Sequence, residues 1–86
     1  MIRINSRKSA GEFLKVMILH ERNLTQKWLA DEVGCTTRKI SEICTNKRRI
    51  SPMFALELEE VFGISAEFWL TMQAKWDLNQ IRQNAA

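Results

Sequence analysis

TQKWLADEVGCTTRKISEICT, residues 25–45, holds two short helical patterns separated by a single break. Leu29, Ala30 and Val33 recur at helical spacing, and Thr25 stands where a hydroxyl accepts from the unpaired amides of a first turn. Leu24, just ahead of it, packs at the helix start. Gly34 stops this helix, because glycine takes the left-handed conformation of a helix end without a Cβ penalty. After Cys35, either Thr36 or Thr37 caps a second pattern, in which Ile40, Ile43 and Cys44 fall at i, i+3 and i+4. That helix is predicted from about Thr36 to Thr45, with Thr37, Arg38, Ser41, Glu42 and Thr45 on its outer face.

Outward from this pair the same punctuation repeats. Upstream, Phe13, Leu14, Met17 and Ile18 lie at i, i+1, i+4 and i+5 and predict a helix from Ala10 to about Glu21, with Glu12, Lys15 and His20 on its opposite face. Met1 to Ser9 lacks a sustained period and reads as a flexible basic arm, leaving residues 10–86 as a single domain. Downstream, Asn46 provides a left-handed stop, and Lys47, Arg48 and Arg49 lead to Ser51-Pro52, a cap followed by proline at the first helical position. Ala55, Leu58, Val61 and Phe62 keep helical spacing up to Gly63. Ile64-Ser65 then opens a last helix with the stripe Phe68, Trp69, Met72 and Trp76, which Ile81 extends towards the C-terminus. No stretch alternates as a strand does, so the expected fold is all-α with five helices, including the helix-turn-helix and a C-terminal helix.

Composition bounds what such a domain can do. Eighty-six residues make one modest core, and 45% hydrophobic against 27% charged residues is a globular balance. The net charge of +3 is a mild basic excess, but it is unevenly placed. Arg38, Lys39, Lys47, Arg48 and Arg49 face one acid, Glu42, between Thr36 and Arg49; Glu57, Glu59, Glu60 and Glu67 then follow with no base among them. Cys35 and Cys44 lie nine residues apart and His20 is remote, so zinc-ligand spacing is absent and neither metal nor cofactor is expected. There is no glycine-rich phosphate loop and no nucleophile–base arrangement, which argues against an enzyme. No leader-like or membrane-length apolar run occurs, and the expected location is the reducing cytoplasm, with free thiols.

Two short helices joined through Gly34 to Thr36 have the spacing of a helix-turn-helix, whose second helix lies in the DNA major groove. An α-helix with side chains is about 10 to 12 Å across and the groove roughly 12 Å wide, so one face enters while the other stays against the protein. Arg38 can donate two hydrogen bonds to guanine, Glu42 can accept from cytosine, and Thr36, Thr37 and Ser41 complete the base-facing set. Thr25, Gln26 and Lys27 at the start of the preceding helix, with Lys39, Lys47, Arg48 and Arg49, are the expected phosphate contacts. A basic run alone is most often a solvated face; the flanking helices and the glycine turn are what favour double-stranded operator DNA as the partner. A homodimer reading a palindrome is expected, with Trp76 and Ile81 as dimer contacts. Trp28 has two readings, partner anchor or intramolecular packing.

Leu24 to Ser65 resembles the lambda-repressor-like helix-turn-helix superfamily through TQKWLADEVGCTTRKISEI and RRISPMFALELEEVFGIS. The narrower SAEFWLTMQAKWDL, residues 65–78, is similar to the signature of HigA-type antitoxins, formerly grouped as virulence-associated protein I. The resemblance implies an antitoxin that represses its own operator as a homodimer and neutralises a HigB-like ribosome-dependent mRNA endonuclease. By position it implies DNA contacts from Gln26, Thr36, Thr37, Arg38, Ser41 and Glu42, and it defines no toxin-contacting residue. Of the family's His-Pro-Gly-Glu opening only Gly11-Glu12 remains; Asn46 replaces a turn glycine, Trp28 a polar residue and Glu59 an alanine. Burying Glu59 alone would be costly, so it is expected to turn outward or to pair with a base. A free-standing repressor of the same fold, or a protein-interaction module with an idle recognition helix, are the competing readings.

Overall fold

A computed structural model describes residues 8–85, and these form five helices with no strand among them. Helix α1 starts as an α-helix, Ala10–Phe13, and continues unbroken into a π-helical stretch, Leu14–His20. Helices α2 (Gln26–Val33), α3 (Thr37–Cys44), α4 (Pro52–Phe62) and α5 (Ala66–Ala85) follow. Residues 1–7 of the expected arm lie outside the described residues. Ser9 was expected in that arm and instead belongs to the fold: it is 3% exposed, and its hydroxyl accepts from the Glu12 amide at 3.1 Å, capping α1.

The other helix starts follow the hydroxyl pattern. Thr25 accepts from the Trp28 amide at 2.9 Å, Ser51 from Phe54 at 3.1 Å and Ser65 from Phe68 at 3.1 Å. For α3 the choice falls on Thr36, which accepts from the Lys39 amide at 3.1 Å. Gly34, Asn46 and Gly63 adopt positive φ at the stops read from the sequence, and Asn23 does so too, at 55°, where no stop was expected.

The core gathers Leu14, Ile18 and Leu19 of α1, Leu29 and Ala30 of α2, Ile40 and Ile43 of α3, Phe54 and Leu58 of α4, and Trp69 of α5. Two inward residues differ from the sequence reading. Met17 was expected on the buried face but is 45% exposed, and Leu19 is buried in its place. The cause is local: i→i+5 bonding, carried on by the Leu24 amide to the Leu19 carbonyl at 2.8 Å, widens the turn, so same-face residues fall four and five apart. On α4, Phe54 turns fully inward while Val61 and Phe62 are only half-buried. Trp69 is fully buried with Phe13 edge-on, centroids 5.6 Å apart, and among the described residues its indole N–H has no partner.

Candidate nucleic-acid interface

Helix α3 is seated by its apolar side. Ile40, Ile43 and Cys44 are buried, leaving Thr37 and Arg38 exposed and Ser41 and Glu42 half-exposed on the opposite side. The Arg38 side chain reaches into solvent, 87% exposed. Such an outward polar stripe on a helix of two turns, presented beside α2, is the shape that a major groove admits.

The structure alters what Glu42 can do. Its Oε1 receives Arg48 through Nη2 at 3.0 Å and Nε at 3.1 Å, and its Oε2 lies 3.7 Å from Arg38 Nε. A carboxylate held between two guanidiniums is a poor free acceptor for a cytosine amine; it fixes the orientation of two cations and leaves the trio one positive charge in excess. Thr36, also expected at the bases, is committed through its hydroxyl to the α3 cap.

The expected phosphate contacts divide similarly. Gln26 stands half-exposed at the first position of α2, behind the Thr25 cap. Lys27 makes an exposed pair with Asp31 at 3.2 Å, an interaction weak enough to exchange for a phosphate. Lys39 leans over the Phe54 ring, Nζ 5.2 Å from its centroid. Lys47 is exposed and, among the described residues, not ion-paired. Arg49 is bound instead by Asp77 of α5, and that hydrogen bond raises the guanidinium above its ordinary pKa.

The loop carrying these cations is fixed at both ends. The Lys47 and Arg48 amides donate to the Glu42 carbonyl at 2.8 and 3.2 Å. At the far end Gln73 of α5 receives the Ile50 amide at 2.8 Å and donates to the Ile50 carbonyl at 2.9 Å. Below the loop, α1 crosses α3 so closely that a Cβ on Gly11 would lie 1.9 Å from the Ile43 carbonyl oxygen. Sequence reading missed Gly11, Gln73 and Asp77 as supports of this interface, because no periodicity marks a residue whose partner is 23 to 32 positions away.

Of the residues considered for partners, Trp28 packs on Phe62, ring centroids 6.2 Å apart, with Arg22 over the same ring, so the intramolecular reading accounts for it. Trp76 is half-buried and lines a small pocket with Gly11, Ile50, Gln73 and Asp77. Ile81 is 64% exposed and Leu78 48%. Among the described residues Glu59 meets no base, and it is half-buried rather than turned outward: its Oε1 accepts from the Ala66 amide at 2.8 Å, at the positive N-terminal end of α5. Among the described residues no His, Cys, Asp and Glu cluster is placed to hold a metal, and no helix is long and apolar enough to cross a membrane. Burial pushes the Cys44 thiol up to about 11 and raises Cys35 as well, so both stay protonated near neutrality.

A two-helix unit with a glycine turn, an anchored second helix and a cationic loop at its end defines a helix-turn-helix DNA-binding protein. The helix-turn-helix family model matches residues 14–69, and the chain belongs to that lambda-repressor-like family, within its group of HigA antitoxins and virulence-associated proteins. It is 34% identical to virulence-associated protein A of Dichelobacter nodosus over 87 residues, covering 100% of this chain and 85% of that protein. It is also 34% identical to antitoxin HigA-1 of Vibrio cholerae, over 81% of this chain and 66% of that one. The structure of Pseudomonas aeruginosa antitoxin HigA with the higBA promoter superimposes with a TM-score of 0.82 at 26% identity, over 90% of this chain and 84% of that chain.

Proposed function

We propose that this protein is the antitoxin of a toxin–antitoxin pair, repressing its own operator as a homodimer and neutralising a HigB-like mRNA endonuclease. The observation that carries the repressor half is the α3 stripe: Thr37, Arg38 and Ser41 face away from a core that holds Ile40, Ile43 and Cys44. In this reading the stripe enters the major groove, with Arg38 bidentate to guanine and the methyls of Thr36 and Thr37 against thymine. Glu42 aims Arg38 and Arg48 rather than reading a base. Gln26, Lys27, Lys47 and Arg48 take phosphates on either side of the groove. Two copies then read half-sites about 34 Å apart, and the exposed Leu78 and Ile81 give α5 an apolar end for the dimer. The antitoxin half is supported by kinship with HigA-1 and by structural likeness to the promoter-bound HigA.

Co-purification of the tagged protein from its native cell, with mass spectrometry of bound protein and sequencing of bound DNA, tests both halves together. A small basic nuclease recovered with the promoter of this gene is the expected result. Promoter DNA without such a partner would replace the antitoxin reading with a solitary repressor. Recovery of neither would overturn the function. Light scattering that shows only a 10.1 kDa species at micromolar concentration would remove the preformed dimer.

A further inference from the structure

The three consecutive cations Lys47, Arg48 and Arg49 look alike in sequence, yet the structure gives them three different surroundings. Lys47 is exposed and unpaired among the described residues. Arg48 shares the Glu42 carboxylate with Arg38, two positive charges against one negative. Arg49 has a carboxylate to itself, and that carboxylate comes from α5, 28 residues further along the chain. Asp77 is only 28% exposed against 65% for Arg49, so the acid is the fixed member and the guanidinium is brought to it. One helical turn earlier on α5, Gln73 holds Ile50 by both its amide and its carbonyl, so both backbone polar groups of the residue next to Arg49 are engaged. The two tethers, four residues apart on α5 and adjacent on the loop, form one clamp.

We propose that Gln73 and Asp77 are positioning residues of the DNA interface, clamping the loop through Ile50 and Arg49 so that Arg49 acts as a tether while Lys47 and Arg48 meet the phosphates. This rests on the DNA-binding reading above and specifies how the last helix takes part in it. An arginine neutralised by its own aspartate releases no counterion when DNA arrives, whereas an arginine freed from it does. The clamp also restricts the loop before binding, which lowers the ordering cost paid on association.

The test measures affinity for a fluorescent duplex carrying the promoter of this gene across a salt series, with the full chain and four variants. Lys47→Ala should flatten the plot of log affinity against log salt by about 0.9, the loss of one phosphate contact. Arg49→Ala should weaken binding yet leave the slope as it was. Asp77→Asn should steepen the slope by about 0.9 as Arg49 becomes available to a phosphate, a change that a merely structural role does not produce. Gln73→Met should weaken binding by the same factor at every salt concentration, with faster hydrogen exchange at the Ile50 amide and unchanged exchange in the α2 and α3 cores. The inference is overturned if Arg49→Ala flattens the slope as Lys47→Ala does and Asp77→Asn leaves it alone. It is equally overturned if Gln73→Met changes neither affinity nor Ile50 exchange. Absence of salt-dependent binding by the unaltered protein would defeat the DNA reading itself, and this inference with it, whereas the first two results defeat only the clamp.

Discussion

The two connections that flank the recognition helix are built on opposite principles. The turn leading into α3 is self-contained: Gly34 sits at φ 74° with no described residue beyond its chain neighbours within 4 Å of where a Cβ would be, and Thr36 caps the helix through the Lys39 amide three residues on. The loop leaving α3 depends on distant chain. It is held by Gln73 and Asp77 of α5, and α1 presses on the carbonyl end of α3 at Gly11. The start of the recognition helix is therefore set by local backbone chemistry and its end by tertiary contact. A protein so arranged can vary its α3 sequence without losing the lead-in, while the other end ties the DNA-facing surface to the first and last helices.

The largest effect should come from adding one carbon at each connection. Gly11→Ala places a methyl 1.9 Å from a backbone carbonyl oxygen, which no rotamer change can relieve, so α1 and α3 must separate. A loss of about 3 kcal/mol or more is expected, at the upper end of overpacking penalties. Gly34→Ala meets open space and suffers only the left-handed backbone penalty, about 1 to 2 kcal/mol. Urea unfolding of the two variants compares them directly. If Gly34→Ala were the more damaging, the assignment of local and tertiary control would be reversed.

A second effect separates the ends by pH. Cys44 closes α3 at 2% exposure, with its thiol pushed up to about 11 by burial from an ordinary value of 9.0. Below pH 9 the thiol is protonated in both folded and unfolded chains and contributes no pH dependence. Above it the unfolded chain ionises first, holds fewer protons than the folded one, and stability falls until about pH 11. The difference between 9.0 and about 11 corresponds to roughly 2 to 3 kcal/mol. Denaturant midpoints taken through this range should fall faster for the natural chain than for Cys44→Ala, so any stability advantage of the natural chain shrinks as pH rises. Parallel curves would remove Cys44 as the cause. Cys35, on the leading turn and less buried, should react with a thiol reagent in the folded protein while Cys44 waits for unfolding.

This contrast also explains what could be read from the sequence. Hydroxyl caps, left-handed stops and the i, i+3, i+4 spacing of α3 are written within four residues of one another, and Thr25, Gly34, Ser51, Gly63 and Ser65 all fall where they were expected. The outward face of α3 was legible for the same reason. Met17 misled because its spacing assumes 3.6 residues per turn, and nothing in Leu14–His20 announces wider π-helical bonding. Glu59 reads as a misplaced charge until the N-terminus of α5 is brought to it, three residues past a glycine turn. The reassignment of Glu42 and Arg49 has the same origin: a side chain's type states what it can bind, but its competitors are known only after folding.

Thr36 and Thr37 sharpen the local half of the comparison. The hydroxyl of Thr36 satisfies the Lys39 amide, and Thr36→Ala should cost about 1 kcal/mol of stability as the loss of an N-cap. Thr37 is exposed at the first helical position, and Thr37→Ala should leave stability within about 0.5 kcal/mol while weakening promoter binding. Thermal unfolding and duplex affinity of the pair thus dissociate cap from contact. Equal stability losses would mean that the capping role is shared.

Asn46 gives the finest test, because with the Lys47 and Arg48 amide bonds to the Glu42 carbonyl it supplies the local part of an otherwise tertiary side. It adopts φ 64°, a conformation that asparagine tolerates and alanine does not, so Asn46→Ala should lose about 1 kcal/mol. Asn46→Gly relieves the residual strain but loosens the unfolded chain and removes a side chain lying against Gly11, and these terms offset to within about 0.5 kcal/mol. Should both variants match the natural chain in chemical unfolding, the left-handed residue is imposed by the clamp at Ile50 and Arg49 rather than chosen by the sequence. Combining Asn46→Ala with Gln73→Met then distinguishes the two sources: additive losses mean that turn and clamp act independently, and a loss greater than the sum means that each holds the loop when the other fails.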